Sequence, residues 1–225
     1  PYTTLFRSIV QKLGDEVLPA IRKTPVLAGV CGTDPFRKMD KFLGKLREQG
    51  FNGVQNFPTV GIVDGRFRAN MEGTNMGYQL EVDMIRTAHE QDLFTCPFVF
   101  DAEQGEAMTR AGADMLILHF GLVTKGAMER GEVPSIDNCC GKLRQVMEKC
   151  RAVRKDILIG CSGQQVDSLE GAAQLVQQEP SVACFFSFFP GKGEDSEKGL
   201  STRFREYRSL DRIKRTAAHR LGTER

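Results

Sequence analysis

His119 closes the apolar run DMLILHF, and an imidazole at the end of such a run can exchange a proton near neutral pH or bind a metal. Two other polar residues close comparable runs: Asn56 after GVQ, and Asp34 just after VLAGVCGT. An Asn amide followed by the stiff Phe57-Pro58-Thr59 turn can hold a carboxylate or carbonyl oxygen without carrying charge. An Asp can serve as acid, base or metal ligand. Each has a plainer reading: Asp34 as a helix cap with Pro35 at the first helical position, Asn56 as a turn-stabilising amide, His119 as a core histidine satisfied by backbone.

The stretch 59–77 is too long for an ordinary strand-to-helix connection of about 2–6 residues. It carries Asp64, Arg66, Arg68 and Glu72 between Gly61, Gly65, Gly73 and Gly77, which reads as a lid on glycine hinges. Arg66 and Arg68 offer forked donors for a carboxylate or phosphate; a solvated charged loop or a subunit contact is the alternative. Ser162 and Gly163, after ILIGC, present backbone N–H groups to an anion. Gly121–Gly126, with Thr124 and Lys125, is a second such donor set. Neither is a phosphate fingerprint, since GxxxxGKS and GxGxxG are both absent. Asp101, after FVF, is a cap or another carboxylate. Asp34, Asp64, Glu72 and Asp101 are oxygen donors that would suit Mg²⁺. Cys31 and Cys161 lack an evident base beside them.

These residues need strands to place them. Apolar runs at Pro25–Val30, Gly53–Phe57, Leu93–Phe100, Asp114–Phe120, Asp156–Cys161 and Val182–Phe189 alternate with helical periodicity at 8–22, 35–49, 77–91, 102–111, 135–153 and 166–178. Gly50 and Gly112 each follow a helix and precede a strand, the usual left-handed stop. Alternating strand and helix predicts a parallel α/β fold, a (β/α)₈ TIM barrel, in which residues at the carboxyl ends of strands form the working face. Asp34, Asn56 and His119 would then share one mouth. Six strands are visible where a closed barrel needs eight, so the first two are expected to be missing. The expected boundaries are an artefactual or disordered stretch at 1–8, the barrel at 9–189, and a charged tail at 190–225 that packs poorly apart from a helix near 201–215.

Composition sets limits. The chain has 225 residues, is 40% hydrophobic and 27% charged, and carries a formal charge of +2. That excess lies after residue 189, because residues 1–189 hold 21 Lys and Arg against 23 Asp and Glu. Nothing there argues for nucleic acid as a partner. Seven cysteines, an odd number without CxxC spacing, suit a reducing compartment. With no membrane-length apolar run and no signal pattern, the expectation is a cytoplasmic protein with no membrane partner.

From Thr24 to Tyr78 the text becomes specific: TPVLAGVCGTDPF, then GFNGVQNFPTVGIVDGRFRANMEGTNMGY. Continued by LEVDMIRTAHE, FVFDAEQGEAM, AGADMLILHFG and ILIGCSG, it closely resembles the phosphoenolpyruvate hydrolase-like TIM-barrel family over about residues 9 to 183. That family is related to the phosphoenolpyruvate mutase and isocitrate lyase barrels, and a member forms a domain of a tobamovirus-resistance protein. The resemblance implies a hydrolase or lyase acting on a small carboxylate such as phosphoenolpyruvate or a 2-oxo acid derivative; a homo-oligomer is expected besides. Position at the strand ends assigns His119 to proton transfer, Asp34 to orienting water or a metal, Asn56 with Arg66 or Arg68 to the substrate carboxylate, and Ser162 and Gly163 to an anion. The alternative is a non-catalytic barrel that binds a metabolite or a protein. Two departures stand out: the family's opening glycine-rich strand and the strand after it are absent, and CFFSFFPGKGEDSEKG replaces the family's small-residue GASS-type loop. The magnesium-binding acidic cluster of the mutases and lyases is not legible.

Overall fold

The computed structural model describes residues 2–121, 133–187 and 196–220. Thr124 and Lys125 of the second donor set fall outside these. The described strands are β1 (Leu27–Gly29), β2 (Gly53–Gln55), β3 (Phe94–Thr95), β4 (Phe98–Val99), β5 (Met115–His119), β6 (Leu158–Ser162) and β7 (Phe185–Phe186). The helices are α1 (Tyr2–Val17), α2 (Met39–Gln49), α3 (Gly65–Gly73), α4 (Gln79–Glu90), α5 (Ala102–Arg110), α6 (Ile136–Val153), α7 (Leu169–Gln178) and α8 (Ser196–Arg220). Strand then helix recurs throughout, and the pairings are parallel, so the fold is α/β with the repeat of an incomplete (β/α)₈ barrel. Two compact units divide the chain, residues 1–116 with 149–157, and residues 117–148 with 158–225.

In the first unit β1, β2 and β3 pair in that order, with Leu27 opposite Gly53 and Gly53 opposite Phe94. Glycine is required at 53, because a Cβ there would sit 2.1 Å from the Phe94 carbonyl oxygen. The apolar face of α2, Phe42, Leu43 and Leu46, is buried, and Gly50 at φ +107° ends the helix by returning its N–H to Arg47 and Leu46. In the second unit Cys161 pairs with Phe185 across β6 and β7, and Cys139 and Cys140 are buried near the start of α6.

Several expectations change. The run Leu93–Phe100 is one strand interrupted at Pro97, which has no N–H to give a ladder; β3 and β4 are its halves. Six strand positions therefore remain, as counted. The long connection at 59–77 is not a bare loop: it contains a 3₁₀ turn at Val60–Ile62 and the helix α3. The second helix begins at Met39, not 35, since Asp34 turns back on Phe36 instead of capping it. Regular helix starts at Tyr2, although residues 1–8 show no helical period in the sequence. Leu158 is half exposed at the amino end of β6, and Val26 and Leu27 are half-buried on the edge of the first sheet, whereas Val54, Phe98, Val99, Leu116, Ile117, Leu118 and Ile159 are buried.

In the tail, the helix expected near 201–215 is present and longer. The helix runs from Ser196 to Arg220 and buries Leu210, while Tyr207 donates its hydroxyl to the Val166 carbonyl at 2.7 Å and stacks edge-on against Phe185. Tyr207, Leu210 and Lys214, spaced three and four apart, form one stripe facing the body of the second unit, and Lys214 Nζ reaches the Val182 carbonyl at 2.5 Å.

Candidate functional site

In the first unit β2 ends at Gln55, and Asn56 is the next residue, with no exposed surface. The backbone ladder to the neighbouring strand stops with Cys96 N–H on the Val54 carbonyl, because Pro97 cannot donate. Asn56 then supplies the missing bonds from its side chain. Its Oδ1 accepts the Phe98 N–H at 2.6 Å and its Nδ2 donates to the Phe98 carbonyl at 3.2 Å. The second Nδ2 hydrogen goes to Glu81 Oε2 at 2.5 Å, so both amide donors are in use.

Glu81, in the first turn of α4, is 1% exposed. Besides Asn56, its carboxyl accepts the Thr59 hydroxyl at 2.7 Å and the Val60 N–H at 2.7 Å. Burial pushes its pKa up to about 7, against the pull of Thr59, Val60, Asn56 and the Arg68 charge. The sequence reading missed Glu81, yet a signal was there: it occupies the same helical face as Met84, Ile85 and Ala88, all buried. An acid on an apolar stripe demands partners.

Arg68 lies on α3. Its Nη1 donates to the Val60 carbonyl at 2.7 Å, its Nε to Glu72 Oε1 at 2.6 Å, and its guanidinium lies 5.7 Å from the centre of the Tyr78 ring. Glu72 also accepts the Tyr78 N–H; burial opposes ionisation there, but that N–H and Arg68 hold the carboxyl below its usual range. Arg66 is exposed. Asp34 is buried, its Oδ1 accepting the Phe36 N–H at 3.0 Å. The loop before Asp34 packs on Glu81, where a Cβ on Gly32 would come 2.9 Å from the Glu81 Cα. Burial raises the Cys31 thiol pKa, the Thr33 hydrogen bonds oppose the rise, and Asp34 and Glu81 add to it. Asp101 is a helix cap, accepting the Gln104 N–H at 2.7 Å.

In the second unit His119 ends β5 at 2% exposure. Its Nδ1 accepts the Gly121 N–H at 2.9 Å, which puts the proton of the neutral ring on Nε2. Burial lowers its pKa, Asp167 opposes that, and Lys142 adds to it. The next residue, Phe120, donates its N–H to the Ser162 carbonyl at 2.9 Å, which joins the ends of β5 and β6. Ser162 is buried, with no hydrogen-bond partner for its hydroxyl, and Gly163 follows at φ +134°. The site residues expected from the sequence thus fall into two sets: Asp34, Asn56, Arg66 and Arg68 in the first unit, and His119, Ser162 and Gly163 in the second.

Among the described residues no group of three His, Cys, Asp or Glu side chains is placed to hold a metal ion. No described helix is long and apolar enough to cross a membrane. Two cavities are lined by other described residues. One, of about 400 Å³, is lined by Val182, Phe185, Tyr207 and Leu210; the other, of about 610 Å³, lies at the amino ends of β1 and β2 near Val26 and Asn52. The polar clusters themselves are closed.

Parallel βα units with polar residues closing the strands define an incomplete barrel of the (β/α)₈ class. Residues 6–208 match the phosphoenolpyruvate hydrolase-like family, and the chain belongs to it. It is 39% identical over 203 residues to the ToMV susceptible protein tm-1(GCR26) of Solanum lycopersicum and 38% identical to the ToMV resistance protein Tm-1(GCR237) of the same plant. Both matches cover 90% of this chain and 27% of the tomato protein, so the chain spans about a quarter of the length of these relatives. Among solved structures, a native KDPGal structure is similar at 14% identity and a TM-score of 0.38, covering 83% of this chain and 80% of that one.

Proposed function

We propose that the chain is an enzyme of the hydrolase or lyase type acting on a small carboxylate, with phosphoenolpyruvate and 2-oxo acids as the first compounds to try. The observation that carries this reading is His119. Its ring is neutral at pH 7, one nitrogen is fixed by the Gly121 N–H, and it stands at a strand's carboxyl end beside Ser162. The neutral ring, oriented by the Gly121 N–H, carries its proton on Nε2 and can donate it there to a reacting oxygen, and it can accept one at Nδ1 when the Gly121 bond opens. In this reading Asp34 orients water or a cation, Asn56 and Arg66 or Arg68 serve the substrate carboxylate, and Ser162 with Gly163 receives an anionic oxygen. Isothermal titration of the chain with phosphoenolpyruvate and with pyruvate, run beside a product assay, tests it. Turnover that His119→Ala abolishes while binding persists supports the enzyme.

A second reading, a barrel that binds a metabolite or protein without turnover, draws on Asn56 and Arg68. Both donate within the protein to structural partners. The tomato relatives, named for resistance and susceptibility to a virus, lend it weak support. Binding without any product in the same experiment would favour it.

A further inference from the structure

We propose that Glu81 is a proton-controlled latch: it pins the turn from Asn56 to Val60 onto α4, and loss of its proton loosens the 57–77 segment that this turn begins. The hydrogen bonds to its carboxyl all come from Asn56, Thr59 and Val60, a single five-residue stretch. Thr59 and Val60 in the turn are buried, but beyond it core packing contributes little, since α3 buries none of its residues and Phe67 on it is 64% exposed. Its other ties are also polar: Arg68 to the Val60 carbonyl, and Glu72 to Arg68 and the Tyr78 N–H. Gly65, at φ +61° with open space around it, gives the segment a hinge.

Protonation changes what the latch can do. An ionised, buried carboxylate has lost its water and accepts only these three bonds, whereas released into solvent it is fully hydrated. The charged and titratable groups on the surrounding elements are Cys31 and Asp34 from the loop after β1, Arg68 from α3, and Tyr78 at the start of α4. Burial raises the pKa of Cys31 and of Tyr78, so both stay protonated near neutrality, and Arg68 stays charged. Glu81 changes within this range, from the ordinary 4.5 when released to about 7 when latched. The closed state should therefore weaken about tenfold per pH unit across that window, roughly 300-fold in all, and stay level above it. The latch bears on the proposed enzyme by making access to Asn56 pH-dependent, but its test needs no substrate.

That test is amide hydrogen exchange on the full chain from pH 5 to 8.5, corrected for intrinsic rates, read at Val60 and at Ile85 of the core. The expected result is a Val60 protection factor that falls about fortyfold between pH 5 and 7 and then nearly levels, always below that of Ile85. In Glu81→Gln it should not change with pH. A pH-independent Val60 in the wild type, the same fall in Glu81→Gln, or equal exchange at Val60 and Ile85 would each overturn the latch. Should Glu81→Gln fail to fold, Thr59→Ala, which removes one donor to the ionised form, must carry the fall to higher pH; an unmoved profile sinks the idea.

Discussion

Asn56 Nδ2 donates to Glu81 Oε2 at 2.5 Å, so the amide that ends β2 and the carboxyl that begins α4 are joined by one buried bond. The same amide closes both main-chain groups of Phe98. Asn56 is thus a surrogate peptide group where Pro97 interrupts the ladder. Asn56→Ala would remove the side-chain acceptor of the Phe98 N–H and one of three donors to Glu81; the Phe98 carbonyl would keep the Tyr78 hydroxyl, at 2.6 Å. The expected cost is about 2–4 kcal/mol in urea unfolding, from buried groups left unpaired. A loss under 1 kcal/mol would show that the amide is not structural.

Glu81 gives stability an unusual slope. Its folded pKa, about 7, lies above its ordinary value of 4.5, so between these values the folded chain holds more protons than the unfolded one. Its contribution is therefore fully present below pH 4.5, falls as pH rises to about 7, and stays flat above, a span on the order of 3 kcal/mol. In Glu81→Gln this slope should vanish, leaving the variant less stable than wild type at pH 5 and more stable at pH 8. Thermal unfolding at the two pH values decides it; curves that never cross would be evidence against the buried acid.

Arg66 and Arg68 look equivalent in RFRAN, but only Arg68 has partners inside the unit. Arg68→Ala should release the Val60 carbonyl and Glu72, raising proteolytic nicking within 59–77 and costing about 1–2 kcal/mol. Arg66→Ala should leave nicking and melting temperature unchanged and, if the proposed carboxylate binding holds, weaken only that binding. Limited proteolysis beside ligand titration separates the two.

Strand–helix alternation was legible because the βα units carry their own periods, and two of the helices are followed by a glycine stop, at Gly50 and Gly112. Strand ends were legible too: Asn56 and His119 stand where the apolar runs end. What periodicity hid was direction. Nothing in GVQNFPT says that the amide turns into the sheet, since that follows from Pro97, some forty residues on. Glu81 was hidden for a related reason: its partners lie at 56–60, and a helical pattern alone does not identify the long-range donors of a buried acid. In the tail, Tyr207, Leu210 and Lys214, in their three-four spacing, all lie within the helix expected near 201–215; the charge around it hid its full extent, Ser196–Arg220.

That spacing supports a prediction on the tail. Tyr207→Phe keeps the ring against Phe185 but loses the bond to the Val166 carbonyl, and should cost about 0.5–1.5 kcal/mol. Leu210→Ala empties a buried position and should cost about 2–5 kcal/mol. Both are read by denaturant unfolding of the full chain, and a neutral Leu210→Ala would mean that α8 does not contribute to the core.

His119 supplies a slope opposite to that of Glu81. Burial, only partly offset by Asp167, sets its folded pKa below the ordinary 6.5, so just below that pH the unfolded chain binds the extra proton. Its contribution is full above pH 6.5 and is lost as pH falls through the folded value. In the wild type this rise partly cancels the fall from Glu81, so the stability profile near pH 6 should look flatter than either residue alone would make it. His119→Gln should unmask the Glu81 slope, and Glu81→Gln the His119 slope. If His119 also moves the proton in turnover, activity should fall on the acid side with the same midpoint as the stability limb seen in Glu81→Gln. Matching midpoints would tie the imidazole to catalysis; an acid limb of activity that is absent, or that titrates elsewhere, would leave His119 a core histidine.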